Sequence, residues 1–332
     1  MAVKVAVNGT GRIGLCIIKL VMEREDMELV ALNTTATPEM LVHLLKYDSV
    51  HRGIDAKVID DNTLEIAGKP VRMFSERDID KLDFGSTGAE VVAECTGVFL
   101  TTEKAKHYLK GSVKKVVMSA PAKDDTPTYV MDINTRDYQG EAIISNASCT
   151  TNCLAPICKV LDDAFGIENG LMTTIHSYTN DQNLLDVKHK KDFRRARAAA
   201  INMIPTSTGA AKAIGLVMPH LKGKLNGFAV RVPTADVSMV DLTVNLKTPV
   251  TAEMIDSAFD KAARENPKMV IVDRDKRVSG DFVGCESGAV YVQDLTRIVD
   301  EKTVKVVAWY DNEWGYSDRM VDMMKFVATH EG

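Results

Sequence analysis

The sequence has no excess of positive charge. Its 41 lysines and arginines stand against 46 acidic residues, for a formal net charge of −5. That balance offers no basic face and argues against nucleic acid as a main partner. No apolar stretch approaches the roughly 20 residues of a membrane helix, so no membrane partner is expected. The first residues, MAVKVAV, lack a basic segment and a small-residue cleavage site, and they run straight into a strand pattern. The six cysteines, Cys16, Cys95, Cys149, Cys153, Cys158 and Cys285, show no disulfide-framework spacing. A chain of 332 residues has no need of such staples. Reduced thiols and a cytoplasmic location are the expectation. Internal repeats and low-complexity linkers are also missing. What remains is ordinary globular composition, 45% hydrophobic and 26% charged, which excludes disorder and suffices for two domains with their own cores.

The first 148 residues alternate short β-rich runs with helical patterns. Val3 to Val7 reads as a strand, and a helix follows with Ile13, Ile17, Leu20 and Val21 on one stripe. Leu29 to Leu32 is the next strand. Val91 to Ala93, Val116 to Met118 and Ala142 to Ile144 are continuous apolar runs, as in parallel strands covered on both faces. The predicted class is α/β, a doubly wound parallel sheet. The second half changes character. Strand-like runs at Leu171–Ile175, Gly227–Val232, Ser238–Leu246 and Thr303–Tyr310 predict an α+β domain with a mostly antiparallel sheet. The expected organisation is a first domain over 1–148, a second over 149–315, and a C-terminal helix over 316–332 that packs back on the first.

Between the first strand and its helix lies Gly9-Thr10-Gly11-Arg12-Ile13-Gly14. Alone, this GxGxxG is a weak signal. Here it has the required context, a strand before and a helix after, with a second strand ending about 20 residues on. The glycines allow a tight turn and close approach of a pyrophosphate, and the helix N-terminus supplies unpaired N–H groups. A Rossmann dinucleotide site is the reading. The acid expected at the end of the second strand is missing, however, because the chain reads Ala31-Leu32-Asn33-Thr34-Thr35-Ala36-Thr37. A carboxylate there would accept bonds from a ribose diol and repel a 2′-phosphate. Neutral hydroxyls at Thr34 remove the repulsion. Either NADP is accepted, or NAD remains the cofactor and neighbouring groups hold the diol.

Ser145-Asn146-Ala147-Ser148-Cys149-Thr150-Thr151-Asn152-Cys153 follows a buried strand and precedes a helical pattern over Leu154 to Phe165. A cysteine at that junction lies near a helix N-terminus, where the dipole favours thiolate. On residues alone, Cys149 and Cys153 could equally be an inert core pair or part of a metal site. The second option is poor, since no second pair at ligand spacing accompanies them, and no metal is expected. Of seven histidines, His176 alone closes a buried-looking strand and is followed by a polar loop, which suits a base aimed into a cleft. A structural histidine fits the spacing as well.

The segments SNASCTTNCLAP, HSYTNDQ, RRARAAA, PTSTGAAKAIG, RVPTADVS and YDNEWGYS closely resemble the motifs of the glyceraldehyde-3-phosphate dehydrogenase family. They occur in family order, and the similarity runs from residue 2 to about 328. The resemblance implies Cys149 as nucleophile and His176 as its base. It implies that Ser148, Thr150, Thr179, Arg195, Thr208, Gly209 and Arg231 hold the substrate phosphate and inorganic phosphate. Arg12, Ile13, Arg77, Ser119, Asn180 and Asn312 match cofactor contacts. The implied activity is phosphorylating oxidation of glyceraldehyde 3-phosphate to 1,3-bisphosphoglycerate with NAD or NADP, in a homotetramer.

Some positions depart from the family pattern. Thr10 replaces an aromatic and Leu15 an arginine, while Thr34 stands where NAD-specific members usually carry Asp. In Asp186-Val187-Lys188-His189-Lys190-Lys191-Asp192, Lys188 replaces a proline and one residue is inserted. In the family tetramer this loop approaches a neighbour's adenosine ribose, so Lys188 could pair with a 2′-phosphate. Alternatively Lys188, Lys190 and Lys191 form a solvated basic face. Two rival functions stand beside the main one. They are erythrose-4-phosphate dehydrogenase, which does not use phosphate as acceptor, and a surface-binding protein.

Overall fold

The computed structural model describes residues 2–190 and 192–330, so Lys191 lies outside the described residues. The chain divides into two compact units, one of residues 1–148 with 317–332 and one of residues 149–316.

In the first unit β1 (Val3–Asn8), α1 (Arg12–Met22) and β2 (Met27–Asn33) follow the predicted pattern. The α1 stripe buries Ile17, Leu20 and Val21 at 4% exposure or less, so apolar periodicity alone specifies its packed face. α2 (Pro38–Lys46) starts where the Thr37 hydroxyl accepts from the Met40 N–H and Pro38 presets the first turn. There follow β3 (Ala56–Asp60), β4 (Thr63–Ile66), β5 (Lys69–Phe74) and β6 (Val91–Glu94). α3 (Thr102–Ala105), β7 (Lys115–Met118) and β8 (Ile143–Ser145) complete the run. The sheet order is β3-β4-β5-β2-β1-β6-β7-β8. From β5 to β8 every pairing is parallel. β3, β4 and β5 form an antiparallel ribbon at one edge. The sequence reading passed over that ribbon, because strands with exposed polar faces such as Ala56–Asp60 lack the continuous apolar run of a central strand.

The chain runs from β1 outward to β2 and β5, then returns to β1's other side for β6, β7 and β8. That reversal opens a crevice beyond the carboxyl ends of β1 and β6, the general position of ligands in open α/β sheets. Phe84, Val92, Tyr108 and Met118 belong to the core cluster of this unit. The body of α7 (Trp314–Thr329) also belongs here. Arg24 holds Asp322 at 2.7 Å, Arg319 pairs with Asp132, and Phe326 meets the Tyr138 ring edge-on at 5.5 Å.

In the second unit, α4 (Cys149–Phe165) starts at the cysteine itself, five residues before the predicted Leu154. Its first turn, Thr150-Thr151-Asn152, shows no apolar period yet is buried. Next come β9 (Ile167–Ser177), β10 (Ile204–Ser207), α5 (Ala210–Val217), β11 (Leu225–Val232) and β12 (Ser238–Leu246). The remainder is α6 (Ala252–Glu265), β13 (Val270–Asp273), β14 (Ala289–Val292), β15 (Arg297–Val299) and β16 (Thr303–Tyr310). The order is β10-β11-β9-β12-β16-β14-β13, with β15 on β16. Only β11 with β9 and β13 with β14 run parallel. Along β12 the residues Ser238, Val240, Leu242, Val244 and Leu246 alternate inward, the period of a strand with one face on a helical layer.

Candidate active site

At the carboxyl ends of β1, β2 and β6 lies a cavity of about 630 Å³. Gly9, Thr10, Gly11, Thr34 and Arg77 line it. Gly9 has φ of +96°, a conformation that favours glycine, and makes the turn. A Cβ on Gly14 would stand 1.9 Å from the Gly9 carbonyl oxygen, so this glycine allows helix and turn to touch. Nothing lies within 4 Å of where a Gly11 Cβ would project. No side chain caps α1 and its first turn holds no acid. The residues therefore fit a dinucleotide diphosphate laid against a helix N-terminus.

The predicted cofactor residues fall on different parts of this region. Ile13 is half-buried in the first turn of α1, and Arg12 pairs with Asp48 at 3.0 Å. Ser119 follows β7, its N–H bonded to the Glu94 carbonyl at 2.9 Å. Thr34 is buried, and its hydroxyl lies 2.6 Å from that of Thr10 and accepts from the Ala36 N–H. Beneath the cavity is a buried polar network that the sequence reading missed. Asn33 donates to Asn8 at 2.7 Å, Asn8 donates to Glu94 at 3.2 Å, and Tyr108 also donates to Glu94. Burial pushes the Glu94 carboxyl above its ordinary range. The only sequence signal was a polar residue closing each apolar strand run.

In the second unit Cys149, at the first position of α4, places Sγ 3.5 Å from His176 Nε2. His176 is 4% exposed near the end of β9. Its ring stands edge-on to Tyr310, with centroids 6.0 Å apart. Tyr310, another residue not foreseen, ends β16 and bridges the hydroxyls of Thr150 and Thr174 at 2.8 and 2.9 Å. It thereby ties the helix start to the strand that carries the base. The parallel register of β11 on β9 sets Arg231 opposite His176. Arg231 Nη1 reaches His176 Nδ1 at 2.6 Å and the Ser177 carbonyl at 3.0 Å.

Burial acts on the thiol beside the helix start. Burial pushes the Cys149 thiol up, and the opposing pull of Arg231 and Thr150 is smaller. Burial, then the charge of Arg231, lowers His176 to about 3. Desolvation disfavours each ion of the pair, while the 3.5 Å approach of Sγ to Nε2 lets each charge stabilise the other.

A second cluster gathers around Arg195. It donates from Nε to Thr206 at 2.8 Å and from Nη1 to Asp181 at 2.5 Å, and Thr179 also donates to Asp181. Arg195 and Ser207 line a cavity of about 520 Å³ with His189 and Asp192. Thr208 follows at once, its hydroxyl accepting from the Ala210 N–H, and Gly209 caps α5. Ser148 directly precedes Cys149 and is half-buried. Asn312 Oδ1 accepts from Ser177 and Ser238 at 3.0 and 2.6 Å, which leaves its Nδ2 as the remaining polar group. Asn180 is exposed. Lys188 and Lys190 are exposed on a segment pinned by the Val187 N–H to the Ala196 carbonyl at 2.9 Å.

Residues 3–102 match the family model "Glyceraldehyde 3-phosphate dehydrogenase, NAD binding domain", and residues 148–312 match the C-terminal domain of the same enzyme. Glyceraldehyde-3-phosphate dehydrogenase 1 of Bacillus subtilis is 49% identical over 332 residues, 99% of either chain. The enzyme of Geobacillus stearothermophilus is also 49% identical, over 333 residues and 99% of either chain. A cytosolic form from Dianthus caryophyllus is 46% identical over 331 residues, 98% of either chain. With a thiol and imidazole paired at a helix start and both domain models matched, the chain belongs to the glyceraldehyde-3-phosphate dehydrogenase family.

Proposed function

We propose that the chain oxidises D-glyceraldehyde 3-phosphate to 1,3-bisphosphoglycerate, with NAD as hydride acceptor and inorganic phosphate as acyl acceptor. The observation that carries the reading is Cys149 Sγ at 3.5 Å from His176 Nε2. His176 takes the thiol proton, and the sulfur attacks the aldehyde carbon to give a hemithioacetal. The Cys149 backbone N–H and the imidazolium steady the developing oxyanion, to which His176 returns the proton, becoming neutral again. NAD held at the Gly9–Gly14 turn would supply the two-electron sink for the hydride of that carbon. His176 receives the hydroxyl proton and a thioester remains on Cys149. An oxygen of inorganic phosphate then attacks the thioester carbonyl, the C–S bond breaks, and Cys149 leaves as thiolate.

Two anions have to be held. Arg231, Arg195, Thr150, Thr179, Thr208, Gly209 and Ser148 are assigned to them, because a guanidinium fork binds phosphate bidentately. Gly9, Gly11, Arg12, Ile13, Gly14, Arg77, Ser119, Asn180 and Asn312 are assigned to the cofactor. NADP is accepted alongside NAD in this reading. Its support is the pair of neutral hydroxyls of Thr10 after β1 and Thr34 after β2, with Lys188 of a neighbouring copy as a 2′-phosphate partner. That arrangement calls for a homotetramer. A cytoplasmic enzyme in glycolysis or gluconeogenesis completes the proposal, and no helix among the described residues is long and apolar enough to cross a membrane. A steady-state assay with glyceraldehyde 3-phosphate, with and without phosphate, using NAD and NADP in turn, tests it. Turnover that ignores phosphate would favour the erythrose-4-phosphate reaction. No turnover with an intact Cys149 would favour a binding protein. A strong preference for NAD would remove the NADP reading alone.

A further inference from the structure

Three polar residues close three neighbouring parallel strands at the floor of the dinucleotide cavity. Asn33 ends β2, Asn8 ends β1 and Glu94 ends β6, and the register sets Asn8 beside each of the other two. The walls rise from those ends. Glu76 and Arg77 follow β5 on one side, Thr96 and Val98 follow β6 on the other, and all four line the cavity with Asn8 and Asn33.

The orientation of both amides is forced from the Glu76 end. Asn33 Oδ1 accepts from the Glu76 N–H at 2.9 Å, and its Nδ2 donates to the Glu76 carbonyl at 2.8 Å. Backbone groups cannot exchange roles, so the second Nδ2 proton points to Asn8, which meets it with Oδ1 at 2.7 Å. Asn8 Nδ2 is thereby turned to Glu94 Oε2 at 3.2 Å and to the Tyr108 hydroxyl, which itself donates to Glu94. From the other side the Thr96 N–H, a second fixed donor, reaches Glu94 Oε1 at 2.8 Å, joined by the Thr96 hydroxyl. That hydroxyl oxygen accepts from the Val98 N–H at 3.1 Å. Donors run inward from both walls and meet at residue 94. The group between them has to accept on both sides and donate on neither, as an ionised carboxylate does. Burial raises this carboxyl, and the four donors oppose the rise by bonding its charged form.

We infer that Glu94 is a positioning residue of the dinucleotide cavity: its carboxylate orients Asn8 and Asn33 in series and so locks the Glu76–Arg77 wall to the Thr96–Val98 wall across the floor. The inference rests on the reading of this cavity as the seat of NAD. Glu94 acts through the walls, so it bears on how tightly the cofactor is held and leaves the thiol chemistry alone. Glu94→Gln turns an NH2 to one side, where it meets the Thr96 N–H or the Asn8 amide as donor against donor. Adding Asn8→Asp moves the two-sided acceptor one residue along the row. The new amide then donates to the new carboxylate, which also takes the Asn33 Nδ2 and Tyr108 O–H donors, and both walls keep their bonds.

The test is calorimetric titration of NAD, and of ADP-ribose, which lacks the nicotinamide, into the full-length wild type, Glu94→Gln, Asn8→Asp and the double variant, with steady-state kinetics alongside. Glu94→Gln should weaken both ligands and raise KM for NAD by about tenfold or more, with kcat at saturating NAD unchanged. Asn8→Asp should weaken them as well, because two carboxylates then face each other in the buried row. The double variant should return to within about threefold of the wild type, a non-additivity expected only of residues that share one network. A purely structural role would lower the unfolding temperature of Glu94→Gln and leave NAD affinity unmoved, and that result overturns the inference. So does a double variant as weak as its parents, or one that does not fold. If Glu94→Gln alone does not fold, the double variant decides. A wild type that binds neither ligand overturns the cavity reading as well.

Discussion

Replacing Asp48 tests how the dinucleotide turn is braced. Its carboxylate has no exposed side-chain area and accepts from Lys19 Nζ at 2.7 Å and Arg12 Nη1 at 3.0 Å. The Val50 and His51 N–H groups complete its shell at 2.9 and 3.2 Å. Lys19 is itself only 2% exposed on α1. Asp48→Ala removes the counter-charge and leaves a buried ammonium, an effect of about 3–5 kcal/mol. At about 2–4 °C per kcal/mol for a unit of this size, unfolding should drop by roughly 6–20 °C. Calorimetry and urea denaturation, backed by circular dichroism, measure it. Lys19→Met with Asp48→Leu should recover most of the loss, because the fully buried ammonium is gone and Arg12, 29% exposed, can be hydrated. Because its partners hold the Asp48 carboxyl below the usual range, its contribution is present above the unfolded value near pH 3.9 and fades as pH falls below it. The difference between wild type and Asp48→Ala should therefore shrink in acid. A loss under about 1 kcal/mol, or a double variant no better than the single one, would refute the reasoning.

Four other outcomes are expected. Gly14→Ala should weaken NAD binding and cost about 1–3 kcal/mol, since the new methyl meets the Gly9 carbonyl at 1.9 Å; unchanged affinity by calorimetric titration would contradict this. Tyr310→Phe should cost about 1–3 kcal/mol in urea unfolding by stripping the buried Thr150 and Thr174 hydroxyls of their bridge, and a neutral result would show that they re-pair. Thr34→Asp should raise the NAD to NADP ratio of kcat/KM by about tenfold or more, a ratio that stays put being the adverse result. His176→Asn should slow the stopped-flow burst of cofactor reduction by about 10²–10⁴ while leaving the fold intact; a burst at wild-type rate would remove His176 as the base.

Much of the first unit was readable because apolar period and turn chemistry are local properties. Ile17, Leu20 and Val21 mark the inner stripe of α1, and Gly9 and Gly14 mark a turn that resists a Cβ-bearing residue at either position. The ribbon of β3 and β4 was missed, since an exposed antiparallel edge carries little apolar signal. The buried network of Asn33, Asn8, Glu94 and Tyr108 was equally hidden, because its bonded pairs are 14 to 100 residues apart and meet only in the folded sheet.

The thiol at Cys149 divides the same way. The sequence by itself determined a cysteine at a strand-to-helix junction and a histidine closing a later strand. The family motifs in register with both named the chemistry. The surroundings of the thiol come from the tertiary structure. The helix start favours thiolate and burial opposes it, because desolvation acts on a group from all the elements packed around it. Likewise nothing in the local sequence puts Arg231 on the imidazole of His176. The parallel pairing of β11 with β9 does so across 55 positions, and a hydrogen bond that depends on register exists only once the sheet has formed.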